Sequence, residues 1–297
     1  MNLASRLRIA FQGELGAFSE EAILQLWGGD VEPVPKREFR DVTAALAKGE
    51  VDRAVLPIEN TIAGSVQASH EAIDATAGIH AIAETVVAVH HCLLGPPGAK
   101  VEDVRNVFSH AVALAQCRRF FQEHPQLAVH AVYDTAGAAF DVSNLADSQF
   151  AAVASRRSAT RYTLEVLVPN IEDRTDNQTR FLAFARAPQS LPAGTPARTM
   201  LLLTARDVQG ALLSALSPLA RHGVNVRRIE TLPTGEPWSY RFFVEFDHQV
   251  GDADAEHVIR DVAALSHEVR RLGTYPRWGA GGRAGIGWSS GSMQRIE

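Results

Sequence analysis

Short polar residues recur where apolar runs end: Ser19, Glu59-Asn60-Thr61, Ser109-His110, Asp134-Thr135 and Asn177-Gln178-Thr179-Arg180. In open α/β sheets, ligands sit beyond the carboxyl ends of the strands. All but the last of these groups follow a strand-like run and precede a helical pattern, so their hydroxyls and backbone amides can converge on an anion. Each hydroxyl taken singly also suits an ordinary helix N-cap. Together, spread over two lobes, they favour a cleft for a small anionic ligand, and spacing alone goes no further.

Other chemistries lack their residues. The chain has no GxxxxGK[ST] loop, no GxSxG elbow and no HExxH pair. The turn Gly13-Glu14-Leu15-Gly16 lacks the GxGxxG spacing of a dinucleotide site. His90-His91 falls in an expected strand, where neighbouring side chains point to opposite faces, a poor geometry for a metal. Cys92 and Cys117 form no CxxC, which excludes a disulfide framework and a thiolate zinc site. The expectation is chemistry with no metal and no nucleotide cofactor.

The elements that must position these groups alternate between strands and helices. Residues 7–11 and 54–58 read as buried strands, and Ser19 with Glu20 and Glu21 reads as the capped start of a helix carrying Ala22, Ile23, Leu26 and Trp27. A second series begins near 86–94, with strands at 104–108, 129–132 and 150–154 and helices starting near Ala111 and Asp134. Such alternation argues for parallel sheets covered by helices, in two consecutive α/β lobes, with the chain returning to the first near 179–185. Pro188, Pro192 and Pro196 mark residues 187–198 as a stiff linker. Beyond it, strands at 200–205, 224–232, 240–246 and 268–274 and helices at 210–222 and 253–265 follow the β-α-β-β-α-β order of a ferredoxin-like unit. The glycine-rich segment 278–297 shows no periodicity and is expected to be disordered.

Composition narrows the class. With 297 residues, the chain is long enough for two ordinary domains or one large one, each with a real core. A net charge of −5 and the lack of a basic stripe argue against nucleic acid as a partner. Hydrophobic residues at 46% exclude a disordered chain, and no apolar stretch approaches the ~18 residues of a membrane span. The N-terminus runs straight into a strand pattern without the apolar core of a signal peptide, so a cytoplasmic protein is expected.

Over residues 8–277 the polar groups resemble the motifs of the prephenate dehydratase family. Residues 12–20, from Gln12 through Gly13, Gly16 and Ser19 to Glu20, look like its opening GxxGxxSE motif. Leu56-Pro57-Ile58-Glu59-Asn60-Thr61 with Gly64-Ser65 is similar to its (V/L)PIENS…GS motif. Ser109-His110 with Ala113-Leu114-Ala115-Gln116-Cys117 resembles SHxxALxQC, and Asp134-Thr135-Ala136 resembles a (S/D)TAxAA helix start. Asn177-Gln178-Thr179-Arg180-Phe181 carries NxTRF in full, the most telling of the set because it follows four others. Downstream, Gly210-Ala211-Leu212-Leu213, Gly223-Val224-Asn225, Ile229-Glu230-Thr231-Leu232-Pro233 and Leu272-Gly273-Thr274-Tyr275-Pro276-Arg277 are similar to the ACT regulatory domain. Two departures stand out. Ala111-Val112 replaces the usual Pro-Gln, and Thr231-Leu232 replaces Ser-Arg of an ESRP motif, removing a guanidinium near the expected effector site.

The resemblance implies an α/β fold: a two-lobed, doubly wound, periplasmic-binding-protein-like catalytic domain at 7–186, its second lobe at about 86–165, and a ferredoxin-like ACT domain at 199–277. It implies loss of CO2 and water from prephenate to give phenylpyruvate, driven by aromatisation, with no cofactor. Thr179 would donate to the leaving oxygen, and Asn60, Ser109 and Gln116 would orient the ring substituents. Ser19, Glu59, Ser65, Thr135, Arg180 and Phe181 would line the substrate site. Arg180 suits either a substrate carboxylate or an ion pair to an acid such as Asp173 or Asp176, and Phe181 also opens an apolar run typical of core. Glu59 suits either a base or an electrostatic filter. Phenylalanine is the implied effector, bound through Gly210, Ala211, Leu212, Leu213, Asn225, Glu230 and Thr231 at an ACT–ACT interface in a homodimer or homotetramer. Arogenate as substrate, and a non-catalytic amino-acid sensor, are the competing readings.

Overall fold

The computed structural model describes residues 6–279, which fall into two compact units interleaved along the chain. The first gathers 6–42, 55–66 and 86–181; the second gathers 43–54, 67–85 and 182–279. Most of segment 278–297 lies outside the described residues.

In the first unit, Leu7–Gln12 pairs in parallel with Val31–Lys36, and the parts of strands Arg53–Asn60 and Gln178–Ala185 that belong to this unit, 55–60 and 178–181, extend the sheet on the other side. Ile9, Ala10 and Phe11 are fully buried, as a contiguous apolar run in a parallel strand requires. Val31–Lys36 was not legible in the sequence. Its Pro33 and Pro35 interrupt strand patterning and are tolerated because this strand ends the sheet, where missing donors cost no ladder bond. A second sheet of five strands runs in the order Glu165–Val168, Cys92–Gly95, Phe150–Ala154, Asn106–His110, Ala128–Val132. Asn106–His110 is parallel to both of its neighbours, and Cys92–Gly95 is antiparallel to both of its own. Helix Thr135–Leu145 covers one face, where Ala138, Ala139 and Val142 pack on Ala152 and Ala154. Cys92 and Cys117 are buried free thiols in the two cores flanking this sheet.

The second unit contains an antiparallel sheet ordered Asn225–Pro233, Tyr240–Gln249, Pro196–Thr204, Glu268–Pro276. With helices Ala211–Arg221 and Ala253–Leu265, it follows the β-α-β-β-α-β order read from the sequence. The first strand begins at Pro196, inside the expected linker, because Pro196 to Thr199 pair with Gln249 to Phe246 on one side and Ala197 to Thr199 pair with Pro276 to Thr274 on the other. Alternation sends Leu201 and Leu203 to the helix face, where they meet Leu219, Val244, Phe246, Val258 and Val262. On the other face the His70 ring, on helix Gln67–Asp74, packs edge-on against Phe243 at 4.9 Å.

Candidate active site

Arg53–Asn60 turns back at its carboxyl end into the two-residue strand Gly64–Ser65, which sets Ser65 opposite Glu59. The turn is held by the Asn60 side chain, whose Oδ1 accepts from the Ile62 and Ala63 backbone N–H groups at 2.9 and 2.8 Å. These two bonds settle the amide orientation, so Nδ2 is the end that faces the neighbouring strand. There its two protons are shared among three acceptors, Asn177 Oδ1 at 2.7 Å, Gln178 O at 3.0 Å and Thr179 Oγ1 at 2.9 Å. Thr179 Oγ1 therefore accepts from Asn60, and its own proton is left to be donated elsewhere. Thr61 secures the register: its N–H donates to Gln178 O, and its Oγ1 accepts from Gln178 N, each at 2.9 Å.

The polarity continues inward. With Oδ1 engaged by Asn60, fully buried Asn177 turns Nδ2 to Gln116 Oε1 at 2.9 Å. Gln116 caps the C-terminus of the short helix Ala111–Ala115, one residue beyond the helix in which it was expected. Its Oε1 also lies 3.0 Å from Nε2 of His91, a buried ring packed edge-on by Phe18 at 5.8 Å. His90 and His91 do not lie in a strand as expected. The chain breaks between His80–Ala88 and Cys92–Gly95, and Glu172 clamps the break, with Oε2 accepting from His91 N at 2.9 Å and Oε1 2.8 Å from His90 Nδ1. Asn177 was named in the sequence only as part of a polar group, with no role of its own, and His91 was not placed in the site. The signal for Asn177 was its position within NxTRF, and for His91 there was none.

Arg180, next along the strand, is 8% exposed and pairs through Nε with Glu59 at 2.6 Å. An acid beside Arg180 is thus Glu59, while Asp173 accepts the Arg118 and Arg119 backbone N–H groups and Asp176 pairs with Arg174. Phe181 is a core residue at 2% exposure. Ser109 is fully buried, with its hydroxyl donating to Val153 O at 2.6 Å, and is not bonded into the Asn60 network.

Ser19 and Thr135 belong to a different group of contacts. Helix Phe18–Trp27 is capped at Ala17, so Ser19 lies inside it and is not the cap the sequence suggested. No side chain caps this helix; the Glu20 carboxylate in its first turn reaches back before the cap and accepts from the Gly16 N–H at 2.6 Å. Gly16 sits at φ +98°, with an added Cβ placed 2.9 Å from Ser158 Oγ, so only glycine fits there. Its carbonyl accepts from Ser155 and Ser158 Oγ at 2.7 and 3.0 Å. Likewise Asp134, not Thr135, caps helix Thr135–Leu145: its Oδ2 accepts from Gly137 N at 2.8 Å and from Glu14 N at 3.2 Å. Thr135 is the first helical residue. A hollow of about 370 Å³ opens beside this junction between Glu14, Leu15, Tyr133, Phe140 and Tyr162, and none of Asn60, Gln116 and Thr179 lines it.

Asp134 serves two donors, so Asp134→Ala is expected to cost about 1–2 kcal/mol in urea unfolding. Burial holds its carboxyl above the usual carboxylate range. The native chain therefore takes up this proton before the unfolded chain does. The ionised carboxylate is penalised above that raised value, and the wild-type advantage over Asp134→Ala grows as pH falls through it.

In the second unit, Gly210 (φ +77°) precedes helix Ala211–Arg221, in which Ala211 is buried, Leu212 packs against the core and Leu213 is 76% exposed. Asn225 and Thr231 are exposed on the strand that ends the sheet, and Glu230 pairs with Arg228 at 2.9 Å.

A threonine hydroxyl held by an amide at strand ends, followed by a ferredoxin-like unit, is the arrangement of an α/β catalytic part with an appended module. Among the described residues no cluster of metal-ligating side chains forms, and no helix is long and apolar enough to cross a membrane. The prephenate dehydratase family profile matches residues 9–189 and the ACT domain profile matches 199–267. An Arabidopsis thaliana protein named arogenate dehydratase/prephenate dehydratase 2, chloroplastic, is 36% identical over 92% of this chain and 73% of its own length. The prephenate dehydratase of Arthrobacter aurescens, solved in complex with L-Phe, superposes with a TM-score of 0.83 at 30% identity, over 91% of this chain and 90% of its own. A structure titled as GqqA, a novel type of quorum quenching acylase, superposes at 0.82 with 35% identity, over 91% and 97%. The chain belongs to the prephenate dehydratase family of carbon–oxygen lyases and carries a C-terminal ACT domain.

Proposed function

We propose that residues 7–186 aromatise prephenate with Thr179 as the donor to the departing hydroxide. The observation that carries this reading is the 2.9 Å bond from Asn60 Nδ2 to Thr179 Oγ1, which occupies a lone pair of the hydroxyl and leaves its proton available. In the step, the bond from the ring to its carboxylate breaks and CO2 departs. That electron pair enters the ring, the ring C–O bond breaks, and hydroxide leaves as water with a proton supplied through Thr179 and replaced from solvent. A threonine hydroxyl is a weak free acid, so its contribution is a hydrogen bond that strengthens as charge develops on the leaving oxygen. No redox group or covalent intermediate is required for the balance.

Gln116, its Oε1 engaged by Asn177 and His91, offers its Nε2 donors to the substrate. Arg180, held at Nε by Glu59, is the cation for a substrate carboxylate, and Glu59 sets its orientation. Ser19, Ser65, Ser109 and Thr135 complete the substrate surroundings in this reading, with Ser109 and Phe181 acting from the core. Arogenate differs by an amino group where prephenate has a keto group, and the relatives that bear both names make it the second substrate to try.

Residues 199–277 are the regulatory part, with phenylalanine as effector at Gly210–Leu213, Asn225, Glu230 and Thr231. The L-Phe complex of the Arthrobacter relative supports this. The exposed Leu213 and the free edge of strand Asn225–Pro233 favour pairing with a second copy, giving a homodimer or homotetramer. The test is kcat/KM for prephenate and arogenate side by side, with and without phenylalanine. Higher kcat/KM on prephenate with inhibition by phenylalanine is the expected result. Arogenate preference would transfer the substrate, and insensitivity to phenylalanine would reduce the ACT domain to assembly.

A further inference from the structure

His91 is 2% exposed, and the reaction as derived makes no use of it. The residue is fixed at three points, two of them on the ring. Phe18 packs edge-on against it, the Glu172 carboxylate holds its backbone N–H, and Nε2 lies 3.0 Å from Gln116 Oε1. Nδ1 is buried with no hydrogen-bond partner among the described residues.

The direction of the hydrogen bonds decides the tautomer. Beginning at the Ile62 and Ala63 N–H groups, Asn60 must present Nδ2 to Asn177, Asn177 must present Nδ2 to Gln116, and Gln116 must present Oε1 to His91. An oxygen that already accepts from Asn177 can bond the ring only if Nε2 carries a proton. The alternative tautomer would set lone pair against lone pair. Turning the Gln116 amide to relieve that would set its NH2 against the NH2 of Asn177. The chain of amides is therefore self-consistent in one sense, anchored by the hairpin amides at one end and by the imidazole at the other. Burial pushes the His91 pKa below its usual range, which keeps the ring neutral with a single N–H to give.

We infer that His91 is a positioning residue, whose neutral Nε2–H form pins Gln116 Oε1 inward so that the Gln116 amide donors face the substrate and the Asn177–Asn60–Thr179 chain keeps its polarity. This rests on the roles proposed above for Gln116 and Thr179. His91 itself touches no reacting atom.

The packing and hydrogen-bonding roles predict opposite orders of activity. His91→Phe keeps an aromatic ring against Phe18 and loses the donor. His91→Gln loses the ring and places an amide N–H near the position of Nε2. We expect His91→Phe to lower kcat by about 10- to 100-fold, the scale of a misplaced catalytic group, and His91→Gln to recover most of that loss. Both variants should keep the wild-type circular dichroism spectrum, and in a 15N-histidine correlation spectrum of the wild type the ring whose signal is lost in His91→Phe should be protonated at Nε2 alone, distinct from buried His70, whose Nε2 faces Arg228. Wild-type kcat in His91→Phe, a His91→Gln variant slower than His91→Phe, or protonation at Nδ1 of the ring whose signal His91→Phe removes would each overturn the inference. Thr179→Ala measured in parallel separates the two levels. If Thr179→Ala is impaired and His91→Phe is not, only the positioning role fails. If Thr179→Ala turns over like wild type, the donor reading fails and takes this inference with it.

Discussion

Thr179→Ala should lower the kcat for phenylpyruvate formation by about 10²–10³-fold, the usual cost of removing one preorganised donor to a developing negative charge. KM should change far less, because a bond that strengthens only as the C–O bond breaks contributes little to ground-state binding. Folding should be nearly unaffected. Thr179 is half-buried, and the bond from Asn60 Nδ2 that it gives up leaves that donor with two other acceptors, Asn177 Oδ1 and Gln178 O. Thr179→Ser should retain much of the rate, since the hydroxyl is kept. The check is a steady-state comparison of the three enzymes, with phenylpyruvate followed by its ultraviolet absorbance at alkaline pH.

The largest expected effect on stability lies in the second unit, at Gly273. It pairs with Ala81, and a Cβ built on it would fall well inside contact with the Ala81 carbonyl oxygen and 2.7 Å from the Ala81 nitrogen. Both obstacles are backbone, which no rotamer change can move aside. Gly273→Ala must therefore separate the last strand from residue 81 or distort the Met200–Gly273 register, which already shifts at Leu201. Overpacking of this kind costs about 1–3 kcal/mol or more. For Gly273→Ala, urea denaturation should show an unfolding free energy reduced by that amount, with a correspondingly lower midpoint. Gly78→Ala makes a useful contrast for steric cost, because no atom lies within 4 Å of its added Cβ, although its φ of +73° carries a backbone penalty of its own. An unchanged midpoint in Gly273→Ala would mean that this close approach does not hold in solution.

How much of this was legible in the sequence differs from residue to residue, for physical reasons. Ile9-Ala10-Phe11 and Ala54-Val55-Leu56 announced their strands because full burial needs an unbroken apolar run. The β-α-β-β-α-β order of the second unit was equally plain, since its strands alternate and its helices carry period-3.6 stripes. Val31–Lys36 was missed because an edge strand tolerates prolines and charges that argue against strand elsewhere. Ser19 and Thr135 were read as caps on residue type, yet helix Phe18–Trp27 starts from Ala17 with no side-chain cap, and Asp134, one position before Thr135, takes the Gly137 amide. The site followed the same division. Asn60, Gln116 and Thr179 could be named from their motifs, and the structure bonds them, through Asn177, into one network. The link through Asn177 to His91 joins residues 61 and 25 positions away from Gln116, and no local pattern encodes such a contact. Nor did spacing show that Arg180 would meet Glu59 across 121 positions, when Asp173 and Asp176 lay nearer in sequence.

The central claim is that Asn60 and Thr179 act as one unit, the amide occupying the hydroxyl so that its proton is aimed at the leaving group. A double-mutant cycle on kcat with Asn60→Asp and Thr179→Ala tests it most directly. Asn60→Asp preserves an oxygen for the Ile62 and Ala63 N–H groups and replaces the donor facing Thr179 with an acceptor that captures the hydroxyl proton. Residues that act as a unit show strongly non-additive losses. The predicted result is that the double variant is no slower than the slower single variant. Losses that multiply, or an Asn60→Asp enzyme turning over at the wild-type rate, would contradict the account.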